Sequence, residues 1–304
     1  MIHRFVLLLG FSLAAPLGWA QSPPAENIRT PQSSPPFFSR VRGLFDIELP
    51  ELDPPGTVKL ILNPHLSDLV RRDYVRTDVG FRWALNDHFE FSTEAAAFVT
   101  RGLRSNSNSN GYGIGELHYG LKYIFSAWPR ADFETSLSLN ITQPVGQPPF
   151  DLTDGHNHYT PSVVIQHHSD RNPHLTTFAG ATVDLITPSG VAGAFQRNQP
   201  QDNSLSLTAG GVYDLGQLQW TFSGTYTTTA FIGGGPEHFF YVRPGVLWYV
   251  PKKMTFRSKT QWIIGLGTPM TWGPDGYELK VNSRLRAEIT FGQVIDHLRH
   301  GGSQ

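Results

Sequence analysis

The chain has 304 residues, of which 39% are hydrophobic, and its formal net charge is −1 at pH 7. This near-neutral charge offers no basic surface for nucleic acid, and the lack of cysteine excludes disulfides and thiolate metal sites. No stretch of the sequence approaches the 18 or so consecutive apolar residues of a transmembrane helix, so none is predicted.

Residues 1–20 have the three parts of a secretory signal peptide. Arg4 supplies the positive charge, Phe5–Ala15 is a short apolar run, and Gly18-Trp19-Ala20 places small residues where a signal peptidase reads them. Cleavage before Gln21 is therefore predicted, and because residue 21 is not cysteine no lipid anchor is expected. The protein is predicted to be exported.

Residues 21–55 are rich in Pro and Ser and are predicted to form a periplasmic leader. The leader contains one apolar patch, which includes Phe37, Phe38 and Phe45. These aromatic side chains make the leader a candidate partial plug for the domain that follows.

Period-two alternation begins at Gly56 and continues to Phe291, which predicts an all-β domain over residues 56–291. In residues 115–125, for example, Leu117 and Leu121 share one face while Glu116 and Lys122 share the other. The predicted fold is a transmembrane antiparallel up-and-down β-barrel with about 12 strands, apolar outside and polar inside. The predicted strands are 57–63, 74–85, 88–100, 113–125, 131–142, 156–169, 174–186, 204–215, 217–230, 238–250, 254–266 and 277–291.

The connections between these strands alternate between short and long. Tight turns such as Asn86-Asp87 and Gly216 alternate with longer polar loops such as 143–155, 187–203 and 267–276. Short periplasmic turns that alternate with longer extracellular loops are typical of barrels in the outer membrane of Gram-negative bacteria. With twelve strands, both ends of the barrel domain lie in the periplasm, and residues 292–304 are predicted to be a periplasmic tail.

This location predicts the partners of the barrel surface. Outer-membrane lipid and lipopolysaccharide are expected around the apolar exterior, and the barrel-assembly machinery is expected to insert the chain. That machinery usually recognises a terminal aromatic residue, and here the equivalent Phe291 is followed by the tail.

One strand resembles a known family. Residues 113–123, read as Gly-Ile-Gly-Glu-Leu-His-Tyr-Gly-Leu-Lys-Tyr, look like the GxGDxxxGLKY strand of transporter-like outer-membrane barrels connected with the meta-pathway of phenol degradation. The resemblance covers about eleven residues and the architecture. It implies a porin-like barrel that admits small organic molecules, aromatic ones included, and it assigns no functional residue.

Inward-facing charges separate by strand into two predicted walls. Strand four faces strand ten across a twelve-stranded ring, so an acidic wall is expected to oppose a basic wall and to impose a transverse field on solutes. Pairing of the charges across a narrow lumen, which would close it, is an equally supported alternative. The acidic wall comprises Glu90, Glu94, Glu116 and Glu134, and the basic wall comprises Arg76, Arg82, Arg243, Arg257, Lys259, Lys280, Arg284 and Arg286.

Two groups that contain histidine are weaker candidates for a catalytic or metal site. His167 and Ser169 share a strand face, as in outer-membrane lipid hydrolases, but they precede an ordinary turn at the predicted periplasmic end. His156 and His158 also share a face but have no identifiable third metal ligand.

The prediction is therefore a channel for passive passage of small solutes, with no enzymatic activity, cofactor or metal. The alternatives are a lipid hydrolase or deacylase that uses His167 and Ser169, and a closed structural barrel.

Overall fold

A computed structural model of the chain describes residues 49–65, 68, 72–105, 109–126, 132–169, 171–194, 199–230, 235–255 and 260–291. The predicted signal peptide, the leader as far as residue 48 and the tail 292–304 lie outside the described residues. Within the described part, no helix is long and apolar enough to cross a membrane.

The described part is built from antiparallel strands, and from β1 to β10 each strand pairs with the next in chain order. The strands are β1 Val58–Pro64, β2 Tyr74–Ala84, β3 Phe89–Thr100, β4 Tyr112–Ser126, β5 Phe133–Pro144, β6 His156–His168, β7 Leu175–Pro188, β8 Ser204–Asp214, β9 Leu218–Thr228, β10 His238–Tyr249, β11 Thr260–Gly267, β12 Met270–Gly273, β13 Gly276–Leu279 and β14 Asn282–Phe291.

The sheet closes because β1 pairs on both of its edges. Val58 lies opposite Trp83 of β2 on one side and opposite Phe291 of β14 on the other. Closure pairs the edges of β1 and β14 that an open sheet would expose, so the backbone there needs no water to satisfy its hydrogen bonds. The predicted twelve-stranded antiparallel barrel is confirmed.

The fourteen strand segments form twelve strands of the barrel because two of them are interrupted. β11 pairs with residues 245–249 of β10, and β12 pairs with residues 240–242 of the same strand. β11 and β12 are therefore two parts of one barrel strand, which is interrupted at Thr268 and Pro269. Proline has no N–H for the ladder, which explains the break. β13 and β14 form the last strand in the same way, because β12 pairs with β13 and β11 with β14.

Two predicted boundaries are wrong in this region. The predicted loop 267–276 folds as the β12–β13 hairpin, whose apolar residues extend the wall outward. The predicted strand 254–266 does not begin at Met254, because residues 251–255 form a turn in which the Met254 N–H donates to the Pro251 carbonyl at 2.8 Å, and among the described residues this strand covers Thr260–Gly267.

The barrel has a polar interior and an apolar exterior. In β4, Leu121 is 42% exposed while the neighbouring Lys122 is 3% exposed. In β5, Leu137 and Leu139 are exposed while Ser136 and Ser138 are buried. This reverses the polarity of a water-soluble protein and matches a barrel surrounded by lipid.

We expect Leu139→Arg to lower the free energy of unfolding from lipid vesicles by about 2–4 kcal/mol, because an arginine on the lipid face near mid-strand is costly. Leu215→Arg is the matched control, since Leu215 is also exposed but lies in the turn between β8 and β9. Denaturant unfolding of both variants would measure the difference. Equal losses in the two variants would contradict the assigned lipid face.

Candidate functional site

The lumen contains a buried charged cluster on β2, β3 and β4. Glu90 Oε1 lies 3.3 Å from Arg82 Nε and 3.3 Å from Lys122 Nζ. The register explains the contact, because Glu90 is the cross-strand partner of Lys122 on one side and of Ala84, two residues from Arg82, on the other. One carboxylate therefore neutralises two cations from neighbouring strands.

A second cluster continues the first across the closing seam of the barrel. Lys59 Nζ of β1 lies 2.5 Å from Asp53 Oδ1 and 3.8 Å from Glu288 Oε2 of β14. Glu288 Oε1 in turn lies 2.8 Å from Arg286 Nε. These side chains are nearly fully buried, so each charge depends on its partners for stabilisation.

A third group lies nearer the long-loop end of the same side. His65 Nε2 lies 2.6 Å from Asp78 Oδ2, and Arg76 Nη2 donates to His65 Nδ1 at 2.8 Å. In β4, Glu116 Oε2 lies 3.5 Å from His118 Nε2. Both pairs hold charged groups close to the wall.

The other predicted wall residues are distributed as follows. Glu94 is buried, Glu134 accepts a hydrogen bond from Gln166 Nε2 at 2.6 Å, and the Arg243 guanidinium lies 4.7 Å from the centre of the Tyr241 ring. Lys280 is half-exposed and 3.0 Å from Glu278. Of Arg284, which lies in β14, only the backbone is described, and Arg257 and Lys259 lie outside the described residues.

These contacts bring predicted acidic and basic residues together. Arg82 and Glu90 were assigned to different walls, yet they form an ion pair between adjacent strands. The predicted walls omitted Lys59, Lys122 and Glu288, although the positions of these residues on the polar face of alternating segments were a usable signal. The walls also omitted Asp53, which lies before the alternation begins and therefore gave no such signal.

The opposite side of the lumen has a different character. Hydroxyl and amide groups dominate the inward-facing positions of β5 to β9, and the acidic residues Glu134, Asp184 and Asp214 lie toward the strand ends. Several hydroxyls bond across strands, as in Ser138–Ser162 at 2.7 Å and Thr208–Thr225 at 2.9 Å. We call this the uncharged side, and its inward residues include Ser136, Ser138, Asn140, Thr142, Thr160, Ser162, Gln166, Thr182, Ser206, Thr208, Gln219, Thr221, Ser223, Thr225 and Thr227.

The connection 145–155 between β5 and β6 folds against the inside of the wall. Leu152 packs in a buried cluster with Tyr74 of β2 and Phe98 of β3. Arg72 Nη1 donates to the Asp151 carboxylate at 2.8 Å. Gly115 leaves room for this contact, because a Cβ there would lie 2.6 Å from Leu152 Cδ2 and 2.9 Å from Pro148 Cβ.

The other end of this connection is held by a histidine between two carboxylates. His158 Nε2 lies 2.8 Å from Asp154 Oδ2, and its Nδ1 lies 2.9 Å from Asp184 Oδ2. Burial by itself raises the pKa of the Asp154 carboxyl, but the hydrogen bond and charge of His158, with smaller contributions from His156, hold that pKa below its ordinary value. No group of three side chains able to hold a metal ion occurs in the described residues.

The predicted hydrolase pair is not assembled. His167 Nε2 lies 3.1 Å from Asp132 Oδ2, and Ser169 Oγ accepts the Asn172 N–H at 3.3 Å within the turn. Among the described residues no hydrogen bond joins His167 to Ser169. A serine nucleophile needs a base within hydrogen-bond reach, and this arrangement does not supply one.

No protein-family model and no curated protein matches the chain. Solved structures with a similar fold include an outer-membrane channel from Pseudomonas putida F1, which is 14% identical, with 81% of this chain and 100% of that chain covered and a TM-score of 0.48. The KdgM porin in complex with disordered oligogalacturonate is 10% identical, with coverage of 78% and 98% and a TM-score of 0.42. Pseudomonas aeruginosa OprD is 13% identical, with coverage of 71% and 60% and a TM-score of 0.35.

The geometry of the chain itself gives its location. A closed sheet with a lipid-facing apolar exterior, a polar interior and short turns at one end is the architecture of the bacterial outer membrane. The chain is a β-barrel of that membrane. We expect the end with the short turns to face the periplasm, and the connection 145–155 lies at the opposite end.

We expect Gly115→Ala to lower Tm and to expose residues 145–155 to protease, because the new methyl group would collide with Leu152 and Pro148. Gly224→Ala is the matched control, since nothing lies within 4 Å of a Cβ at that position. Thermal unfolding and limited proteolysis would compare the two. Equal behaviour would show that the connection does not depend on this contact.

We expect the difference in Tm between the wild type and Asp154→Asn to become smaller on acidification. Because the folded-state pKa of Asp154 is lowered, its stabilisation is present above the ordinary carboxyl pKa and is lost as the pH falls through the folded value. The difference should be largest at about pH 5 to 6 and should shrink as the pH falls below about pH 4. Asp202→Asn, in another loop, is the control, and a difference that grows on acidification would contradict the assignment.

Proposed function

We propose that the protein is an outer-membrane channel through which small solutes, aromatic ones included, cross by passive diffusion. The observation that carries the proposal is the uncharged side of the lumen, where hydroxyl and amide groups predominate at inward-facing positions inside an apolar shell. Such groups exchange hydrogen bonds with water and with polar solutes at little cost. No cofactor is required.

Selectivity in this proposal comes from the contrast between the two sides of the lumen. Charges of both signs lie on β1 to β4 and β14, where Arg82, Glu90 and Glu288 are buried. The uncharged side faces them, so a field acts across the lumen and orders dipolar solutes. In this proposal, one side of the lumen that carries charges of both signs, opposite one uncharged side, replaces the predicted acidic and basic walls.

Aromatic groups in the lumen support passage of aromatic solutes. Phe239 and Tyr241 of β10 occupy buried, inward-facing positions toward the outer end, with ring centroids 6.3 Å apart and planes inclined by 13°. The Arg243 guanidinium lies over the Tyr241 ring. The resemblance of residues 113–123 to barrels connected with phenol degradation points to the same class of solute.

We expect Thr182→Glu and Thr182→Lys to shift the reversal potential of the channel in opposite directions. Thr182 faces the lumen from the middle of β7, where an added carboxylate favours cations and an added ammonium favours anions. Planar-bilayer recordings in about 0.1 M salt, where charges within roughly 10 Å are still felt, would measure the shifts against the wild type.

Liposome swelling with neutral solutes of graded size provides the second measurement for this proposal. Swelling should occur with small solutes and stop above a size limit. Absence of both conductance and swelling in the wild type and in both Thr182 variants would overturn the proposed function and favour a closed structural barrel.

A further inference from the structure

An apolar ring lines the lumen near its periplasmic end, in an interior that is otherwise polar. Five strands each contribute one residue to it, and Leu49 packs in the same cluster with 1% of its surface exposed. Gly210 makes the ring compact, because a Cβ there would lie 2.6 Å from Phe178 Cζ. The apolar ring consists of Val164, Phe178, Val212, Leu247 and Ile263.

Two polar side chains beside the apolar ring bind the backbone that follows Leu49. Gln166 Nε2 donates to the Pro50 carbonyl at 3.3 Å, and Lys122 Nζ donates to the Glu51 carbonyl at 2.8 Å. Gln166 is fully buried, and its Oε1 has no hydrogen-bond partner among the described atoms. The site therefore has capacity for a further polar contact.

A tight turn holds these groups in one compact unit. The Glu51 N–H donates to the Leu49 carbonyl at 2.8 Å, which closes a three-residue turn centred on Pro50. Proline suits the central position because its φ is already near the required value. The turn presents one branched apolar side chain together with two carbonyl oxygens, and this combination has the chemistry of a small amphipathic molecule.

We propose that the apolar ring, Gln166 and Lys122 form a solute-binding site of the channel, and that Leu49–Glu51 occupies it in the closed state. The solute class is a small molecule with an apolar body about the size of a leucine side chain and a carbonyl or carboxylate oxygen. The proposal rests on the proposed channel function, since it names the solute class that the channel takes.

The physical basis is that the site demands an occupant of this kind. An apolar ring open to a water-filled lumen is unfavourable. Gln166 Nε2 and Lys122 Nζ also bind Glu134 and Glu90, respectively, and each in addition donates to one backbone carbonyl of the turn. Leu49–Glu51 therefore covers the apolar ring and accepts two further hydrogen bonds at the same time. A solute that offers the same two features can replace it at little net cost, whereas a wholly polar or a wholly apolar solute cannot.

The anchor of the segment is separate from the turn. Asp53 is bound to Lys59 at 2.5 Å, which holds the chain next to β1, while Leu49–Glu51 packs on the apolar ring and accepts hydrogen bonds from Gln166 and Lys122. Displacement of the turn therefore leaves the anchor in place. The segment can return to the site when the solute leaves.

The first test measures binding by calorimetry on the detergent-solubilised mature chain. The probe is 4-methylpentanoate, which joins an apolar branched body to a carboxylate, and acetate is the control probe that lacks the apolar body. Leu49→Ala should bind 4-methylpentanoate at least tenfold more tightly than the wild type, because the competing side chain is shortened. Neither protein should bind acetate.

Variants of the donors complete this test. Adding Lys122→Met or Gln166→Ala to Leu49→Ala should weaken binding of the probe, by about tenfold or more for the charged donor. Arg104→Gln, which removes an exposed arginine from a loop at the other end of the barrel, should leave binding unchanged. Heat-modifiable migration on gels shows whether each variant is folded.

The second test uses the absence of natural cysteines in the chain. The double variant Leu49→Cys with Leu247→Cys joins the segment to the apolar ring when oxidised, and a second pair, Leu49→Cys with Val212→Cys, covers the case in which the first cannot form a disulfide. Oxidation should lower conductance in planar bilayers and reduction should restore it. The Leu49→Cys single variant is the control.

The outcomes separate the two proposals. Equal binding of the probe by the wild type and Leu49→Ala, or binding that survives Lys122→Met and Gln166→Ala together, overturns the site. Conductance that remains in that case leaves the channel function standing. Absence of conductance in every protein, including Leu49→Ala, overturns the channel function even if the probe binds.

Discussion

Backbone hydrogen bonding without water is the constraint on which the rest of this structure depends. A strand in lipid must find a partner for every N–H and C=O along both of its edges, and the chain meets this requirement by pairing β14 with β1. Closure then determines the polarity of the two faces. The outer face must be apolar because it meets lipid, and polar residues collect on the inner face.

Confinement of charges to the inside has its own consequence. A buried ion is stable only when partners surround it, so Glu90 serves both Arg82 and Lys122, and Lys59 serves both Asp53 and Glu288. In these clusters, the charged groups on one side of the lumen are paired with one another. The hydroxyl groups of β5 to β9 remain as the surface that a neutral solute can use.

Alternation in the sequence was sufficient to predict the barrel because successive side chains of a strand point to opposite faces. Leu121 and Lys122 are neighbours in the sequence, so one side chain faces the lipid and the other faces the lumen. Charge partners could not be predicted in this way. The contact between Arg82 and Glu90 depends on the register of β2 against β3, and alternation does not specify the register.

The role of Leu49 could not be predicted from the sequence either. Leu49 lies before the first strand, and it contacts residues of five strands that come together only in the folded barrel. The interruption of the strand at Pro269 was mispredicted as a loop because residues 267–276 are rich in proline and glycine, which are typical of loops.

The ion pairs of Lys59 join the two ends of the barrel domain. Asp53 and Lys59 are close in the sequence, whereas Glu288 lies near the end of the last strand, so only the contact between Lys59 and Glu288 requires β14 to have joined β1. Closure of the barrel therefore extends a local ion pair into a cluster that spans the seam. Lys59 is in this way the electrostatic link between the segment before the first strand and the last strand of the wall.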